Sequence, residues 1–357
     1  MKDLLATTRI EASAPCRIDM GGTLDISTFF YPLRHLSPCT FNLAINLRTR
    51  VRLLPYETGM IKISSKGFDS AEYPFEKAPF DHPLGLMFAV AAYFRAAGVH
   101  IMIDSSSPPR SGLGGSSAAA VALIGAFSCI FEQEGAKALT PQQMAILAHA
   151  LEGSVAGVPC GLQDQLAAAF GGAHAWYWQE SISGPPYRGE ALLSGHPFED
   201  LESRLLLVYC GTPHESKNTN SQWVQQFVRG SSRERWTEIV FRTQEFLDAF
   251  RKRRFSEAAK AMNKEMVLRK GMTPEVLNKL GEKLFEAAVG NSCGARITGA
   301  GGGGCIWALG EIEDIHRLKN RWAKILKEHP DACFLDAGIA TDGVLVNKYS
   351  CQGDNYR

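Results

Sequence analysis

The 357-residue chain holds nine cysteines but no CxxC pair. Cys16, Cys39, Cys129, Cys160, Cys210, Cys293, Cys305, Cys333 and Cys351 are scattered along it, which argues against a zinc site or a disulfide framework. Reduced, mostly buried thiols in a cytoplasmic protein are expected instead. Charge of one sign is also lacking. The 38 basic and 37 acidic residues leave a net charge of +1, so no nucleic-acid footprint and no anionic membrane partner is expected. No apolar run reaches the length of about 20 residues that a bilayer demands, so no membrane partner is expected at all. The opening MKDLLATTRIEASAP has neither the apolar region nor the cleavage pattern of a secretory signal. Two common phosphate-binding fingerprints are missing, GxxxxGK[ST] and a strand-linked GxGxxG, and there is no internal repeat.

What the chain does have is glycine in two concentrated runs. The first lies in PPRSGLGGSSAAAVALIGAF, beginning at Pro108. Pro108, Ser111, Gly112, Leu113, Gly114 and Gly115 read as a loop, because proline and glycine cannot sustain regular structure there. Ser116 is a candidate N-cap, and the alanine-rich run behind it is a strong helix former whose apolar faces predict burial. Helix N-termini present unpaired N–H groups and a partial positive charge, and bare glycine backbone lets a ligand approach. The stretch therefore reads as an anion site suited to phosphate, with Ser116 and Ser117 placed to reach a phosphate-bound Mg²⁺. A plain loop-to-helix junction is the alternative. The second run has five glycines among the six residues 299–304 and reads as a hairpin between core strands, or as backbone set against the phosphate loop or a substrate.

Between the runs lie two carboxylates. Glu152 falls near the C-terminal end of a helix started by Thr140-Pro141, where the helix dipole disfavours it. Asp164, twelve positions on, sits in an apolar segment bounded by glycines, and an acid there needs a partner. Arg17, in a strand over 8–22, is the natural cation for it, and Arg17 and Asp19 are read as facing opposite ways on that strand. Phosphoryl transfer to an alcohol uses such a set: one carboxylate to help hold Mg²⁺, one to accept the hydroxyl proton, and a cation to keep the base ionised and neutralise developing charge. Further strands are read at 41–54, 60–65, 99–104, 173–178, 204–211, 294–309, 333–339 and 343–347. Helices are read over 84–97, 140–157, 160–172, 236–290 and 312–328, with 66–82 irregular and 179–200 a polar linker.

PPRSGLGGSSA closely resembles the second motif of the GHMP kinase superfamily. APCRIDMGG at 14–22, with Asp25, resembles the first motif, and GARITGAGGGGC at 294–305 the third. LEGSVAGVPCGLQDQLAAAFGG at 151–172 is similar to the galactokinase and heptose-kinase region, including its Asp-Gln pair. The resemblance implies an α+β fold of two domains, a ribosomal protein S5 domain 2-like ATP-binding domain over 1–190 and a ferredoxin-like domain over 200–357. It implies Asp164 as the catalytic base with Arg17 as its partner, Ser117 and Glu152 on Mg²⁺, and 108–117 around ATP. Asp25, Asp164, Gly301 and Gly302 would meet the substrate. The first motif is one residue shorter than the sugar-kinase pattern and lacks galactokinase's Glu-His pair, which points away from galactose itself. The expected function is ATP- and Mg²⁺-dependent phosphorylation of a monosaccharide or sugar phosphate by a monomer or homodimer. The alternatives are a mevalonate-type kinase, whose first motif commonly carries a lysine where Arg17 stands, a silent sugar- and ATP-binding regulator, and a diphosphomevalonate decarboxylase.

Overall fold

The computed structural model describes residues 1–133, 135–157, 159–180, 184–192, 198–213 and 216–350. Two sheets organise it. The larger is built on β1 (Thr8–Met20) and β2 (Cys39–Pro55), with β3 (Met60–Ser65), β4 (Ala71–Pro74), β5 (Val99–Ser105), β6 (Ala173–Trp178) and β7 (Tyr187–Ala191). The smaller contains β8 (Leu205–Tyr209), β9 (Gly294–Ile297), β10 (Cys305–Leu309) and β11 (Cys333–Phe334) in the order β11-β8-β10-β9. The last strand, β12 (Leu345–Ser350), leaves the segment expected to form the second domain and pairs antiparallel with β1. The fold is α+β, with helices segregated against the sheets rather than alternating with every strand.

β1 is a single strand where short ones were expected. Proline has no N–H to give the ladder, and the register with β2 shifts between Pro15 and Cys16. From Ala14 to Met20 every residue of β1 is buried, because helices cover one face of the sheet and Arg296 and Trp307 of the smaller sheet reach Asp19 near its end. The stretch 66–82 is not wholly irregular, since it carries β4. The expected linker over 179–200 carries β7, paired with β6, while its residues 181–183 and 193–197 lie outside the described ones. Of 333–339 only Cys333–Phe334 is strand, followed by one bridge from Ile339 to Ile45.

The helix Gly115–Gln133 runs through the middle of the larger layer. Its window Gly115–Glu132 is long and apolar enough to cross a bilayer by composition, contrary to the reading that no such stretch exists, but 72% of it is buried in the protein. Alanine at Ala118, Ala119, Ala120 and Ala122 lets it lie close against β1 and β2. The helix Pro141–Ala156 starts as expected. Thr140 Oγ1 accepts the Gln143 N–H at 3.2 Å, Gln143 Oε1 accepts the Thr140 N–H at 2.9 Å, and Pro141 takes the first position. Around the smaller sheet, Ile312–Leu326 buries Ile315, Leu318, Trp322 and Leu326, an apolar stripe at helical spacing.

Candidate active site

A cavity of about 380 Å³ opens where the glycine loop, β1, the helix Gln163–Phe170 and the second glycine run converge. Pro108, Ser111, Gly112, Gly114, Gly115, Ser116 and Ser117 line it, together with Arg17, Asp25, Glu152 and Asp164. Leu113 does not. Its side chain is fully buried in the core, and it contributes its carbonyl, which accepts the Arg17 N–H at 3.0 Å. Gly301 and Gly302 also lie outside the lining, and Gly299 and Ala300 stand in their place.

The helix behind the loop begins at Gly115, so Ser116 is an exposed residue of the first turn and not its N-cap. Gly114, at a φ of 76°, turns the chain into the helix one residue earlier, and its carbonyl accepts the Ala118 N–H at 2.9 Å. A Cβ on Gly114 would stand 3.3 Å from the Asp164 carboxyl, so the bare backbone is what lets loop and carboxylate approach.

Arg17 joins the two halves of the site. Its Nε and Nη2 donate to Asp164 Oδ1 at 2.8 and 2.7 Å, and its Nη1 donates to the Gly112 carbonyl at 2.6 Å. Burial works against its charge, but Asp164 and then Asp19 hold it firmly protonated. Asp19 Oδ1 lies 3.5 Å from Arg17 Nη1. The reading that set these residues on opposite faces is thereby corrected, because positions two apart on a strand share a face. Asp164 falls in the first turn of its helix, where the dipole favours an anion, and its side chain is 25% exposed, which leaves it open to the cavity.

Asp25 is 5% exposed and reaches the same helix terminus, where its Oδ2 accepts the Gln163 N–H at 3.0 Å. Burial pushes its pKa up to about 7, the Gln163 N–H opposes that, and the nearby Asp164 adds to it. Gly161 is required beside it, since a Cβ there would fall 1.7 Å from Asp25 Oδ2.

Ser117 donates to Glu152 Oε2 at 3.0 Å, which brings the loop helix and the helix Pro141–Ala156 together at a hydroxyl and a carboxylate. Both are hard oxygen donors, as Mg²⁺ prefers, and Mg²⁺ is commonly bound through one or two carboxylates beside substrate phosphates. The donor chemistry therefore fits that cation. The glycine loop, with room above it and N–H groups at the helix start, fits the phosphates of a nucleotide.

Two features escaped the sequence reading. Gln165 donates from Nε2 to Glu152 Oε2 at 2.6 Å and to Ser117 Oγ at 3.3 Å; its place beside Asp164 was the only signal for it. The second is a buried charge cluster behind the site. Arg296 Nη1 donates to Asp19 Oδ2 at 2.9 Å, Arg296 Nε to Glu265 Oε2 at 3.0 Å, and Arg269 Nε to Glu265 Oε1 at 2.5 Å, all fully buried. Asp19 Oδ1 also accepts the Gly299 N–H at 2.8 Å, and the Cys305 N–H donates to the Ser111 carbonyl at 2.9 Å. The second glycine run is thus seated against β1 and the phosphate loop.

Residues 84–172 match the family model of the GHMP kinases N terminal domain, and residues 246–328 that of the GHMP kinases C terminal. The chain is 28% identical to the mevalonate kinase of Thermococcus gammatolerans over 84% of its own length and 89% of that protein's. It is 24% identical to the D-glycero-alpha-D-manno-heptose 7-phosphate kinase of Campylobacter jejuni, over 83% and 87% of the two chains. The solved galactokinase of Lactococcus lactis, complexed with galactose, has the same fold at a TM-score of 0.70, with 17% identity over 94% of this chain and 95% of that one.

Proposed function

Because the chain belongs to the GHMP kinase family, we propose that it transfers the γ-phosphoryl group of ATP, with Mg²⁺, to a hydroxyl of a monosaccharide or sugar phosphate. The observation that carries this reading is the Arg17–Asp164 pair facing the glycine loop across one cavity. Bound ATP supplies the phosphoryl group, and Mg²⁺ offsets the charge on its oxygens. Ser117 and Glu152 would hold the cation. Both Arg17 contacts fall on Asp164 Oδ1, so Oδ2 is the oxygen that takes the proton of the attacking hydroxyl. Arg17 orients Asp164 and adds positive charge beside the loop. Asp25 supports a polyol substrate, because a carboxyl group accepts hydrogen bonds from hydroxyls in either protonation state.

A second reading, a mevalonate-type kinase, is favoured by the 28% identity to the mevalonate kinase of T. gammatolerans. The two readings divide on the acceptor, a polyol in one and a hydroxy acid in the other. A coupled ADP-release assay over hexoses, heptoses, heptose phosphates and mevalonate, each with Mg²⁺ and ATP, decides between them. Turnover on a sugar and none on mevalonate is expected; turnover on mevalonate alone overturns the sugar reading. Absence of turnover on all, with sugar binding intact, makes the protein a silent binder.

A further inference from the structure

We propose that Gln165 is a third oxygen ligand of the divalent cation, its amide turning over when the cation arrives; this rests on the kinase reading above. Gln165 is 1% exposed, and its Oε1 has no hydrogen-bond partner. Its other end is engaged, with Nε2 at 2.6 Å from Glu152 Oε2 and 3.3 Å from Ser117 Oγ. Those two oxygens are themselves 3.0 Å apart. Ser117 Oγ, Glu152 Oε2 and the Gln165 amide therefore form a triangle whose edges are 2.6, 3.0 and 3.3 Å.

Octahedral Mg²⁺ holds its ligands at about 2.0–2.1 Å, so neighbouring ligand oxygens lie about 2.9 Å apart. The triangle matches one face of that octahedron. Without the cation, the –NH₂ group donates into the site and satisfies the carboxylate in the cation's stead. With the cation in place, those N–H bonds would point at a positive charge and be repelled. Rotation about the last side-chain bond exchanges the amide's donor and acceptor ends. Because Oε1 has no partner where it stands, the rotation breaks only the bonds that the cation replaces. Oε1 then occupies the third corner.

Mn²⁺ is the probe, followed by its electron paramagnetic resonance signal during titration of the protein with ADP, so that no turnover is needed. Gln165→Met keeps the length and removes the oxygen; it should weaken Mn²⁺ binding tenfold or more. Gln165→Glu supplies a charged oxygen and should tighten it several-fold. A merely structural role would weaken binding in both variants, so opposite signs are the diagnostic result. Affinity of Gln165→Met within twofold of wild type, or weakening by Gln165→Glu, overturns the proposal while the kinase reading stands. Should Gln165→Met fail to fold, the sign of the change in Gln165→Glu decides alone. Failure of the wild-type protein to bind Mn²⁺ with ADP overturns the kinase reading itself, and this proposal with it.

Discussion

Two arginine–aspartate pairs start from residues two apart on β1, and they are built for different ends. Arg17 pairs with Asp164 at the cavity, where the aspartate side chain is 25% exposed and one carboxylate oxygen takes both contacts. Asp19 pairs with Arg296 in the interior, where both side chains are fully buried and Glu265, the Ile297 carbonyl and the Gly299 N–H supply further bonds. Burial would raise the pKa of Asp19, but Arg296 and then Arg17 bring it below the ordinary value. Burial likewise acts on Glu265, and Arg269 and Arg296 outweigh it. The comparison teaches that satisfaction, more than charge, separates the two roles. A saturated pair fixes two sheets in place, and an unsaturated one keeps a bonding position for a ligand.

The sharpest way to break the comparison is Asp164→Asn, which keeps volume and cannot accept a proton. Loss of a positioned base costs about 10² to 10⁴ in rate, so kcat should fall by that order with ATP and substrate affinity kept within about tenfold. Steady-state turnover and ligand titration on both proteins check it, and near wild-type turnover would remove Asp164 from the mechanism. The counterpart in the interior is Glu265→Gln. Removing one partner from a buried ion cluster costs about 3–5 kcal/mol, so stability by chemical denaturation at neutral pH should drop by that amount. A change within about 0.5 kcal/mol would mean that Arg269 and Arg296 are held by other groups.

Asp25 sharpens the contrast through the sign of its pH dependence. Its folded pKa lies above the unfolded value, so the folded state binds the extra proton and stability is lost as pH rises towards about 7. Asp19 and Glu265 are depressed, and their contribution is lost instead as pH falls below the ordinary carboxylate range. Asp25→Asn should therefore gain about 2 kcal/mol on wild type between pH 5 and pH 8 in substrate-free denaturation. Parallel pH profiles of the two proteins would show that Asp25 does not titrate in this window. The smallest effect expected is that of Glu152→Gln, which should raise the Mg²⁺ concentration for half-maximal activity about tenfold and recover at high Mg²⁺. An unaltered Mg²⁺ dependence would make Glu152 structural only.

Much of the site was legible because its signals are local. The Thr140-Pro141 helix start is set within a few turns of chain and lies as read, and most of the glycine loop lines the cavity together with Glu152 and Asp164. Ser116 is not the cap because a left-handed Gly114 starts the helix two residues sooner. Gly301 and Gly302, expected to meet the substrate, lie outside the lining; in sequence, one glycine in a run looks like the next. Only the hairpin's seat on Asp19 turns Gly299 and Ala300 to the cavity.

By itself the sequence determined where the chain bends, which helix is buried, and which residue types can meet a phosphate, since propensity, capping and apolar periodicity act over short spans. The tertiary structure alone decided which charges are interior. Arg296 lies 277 positions from Asp19, and β12 returns to β1 after more than three hundred residues. A charged side chain on a strand carries no mark of burial. Its surroundings, and with them its pKa and its partners, come from whatever distant segment packs over it.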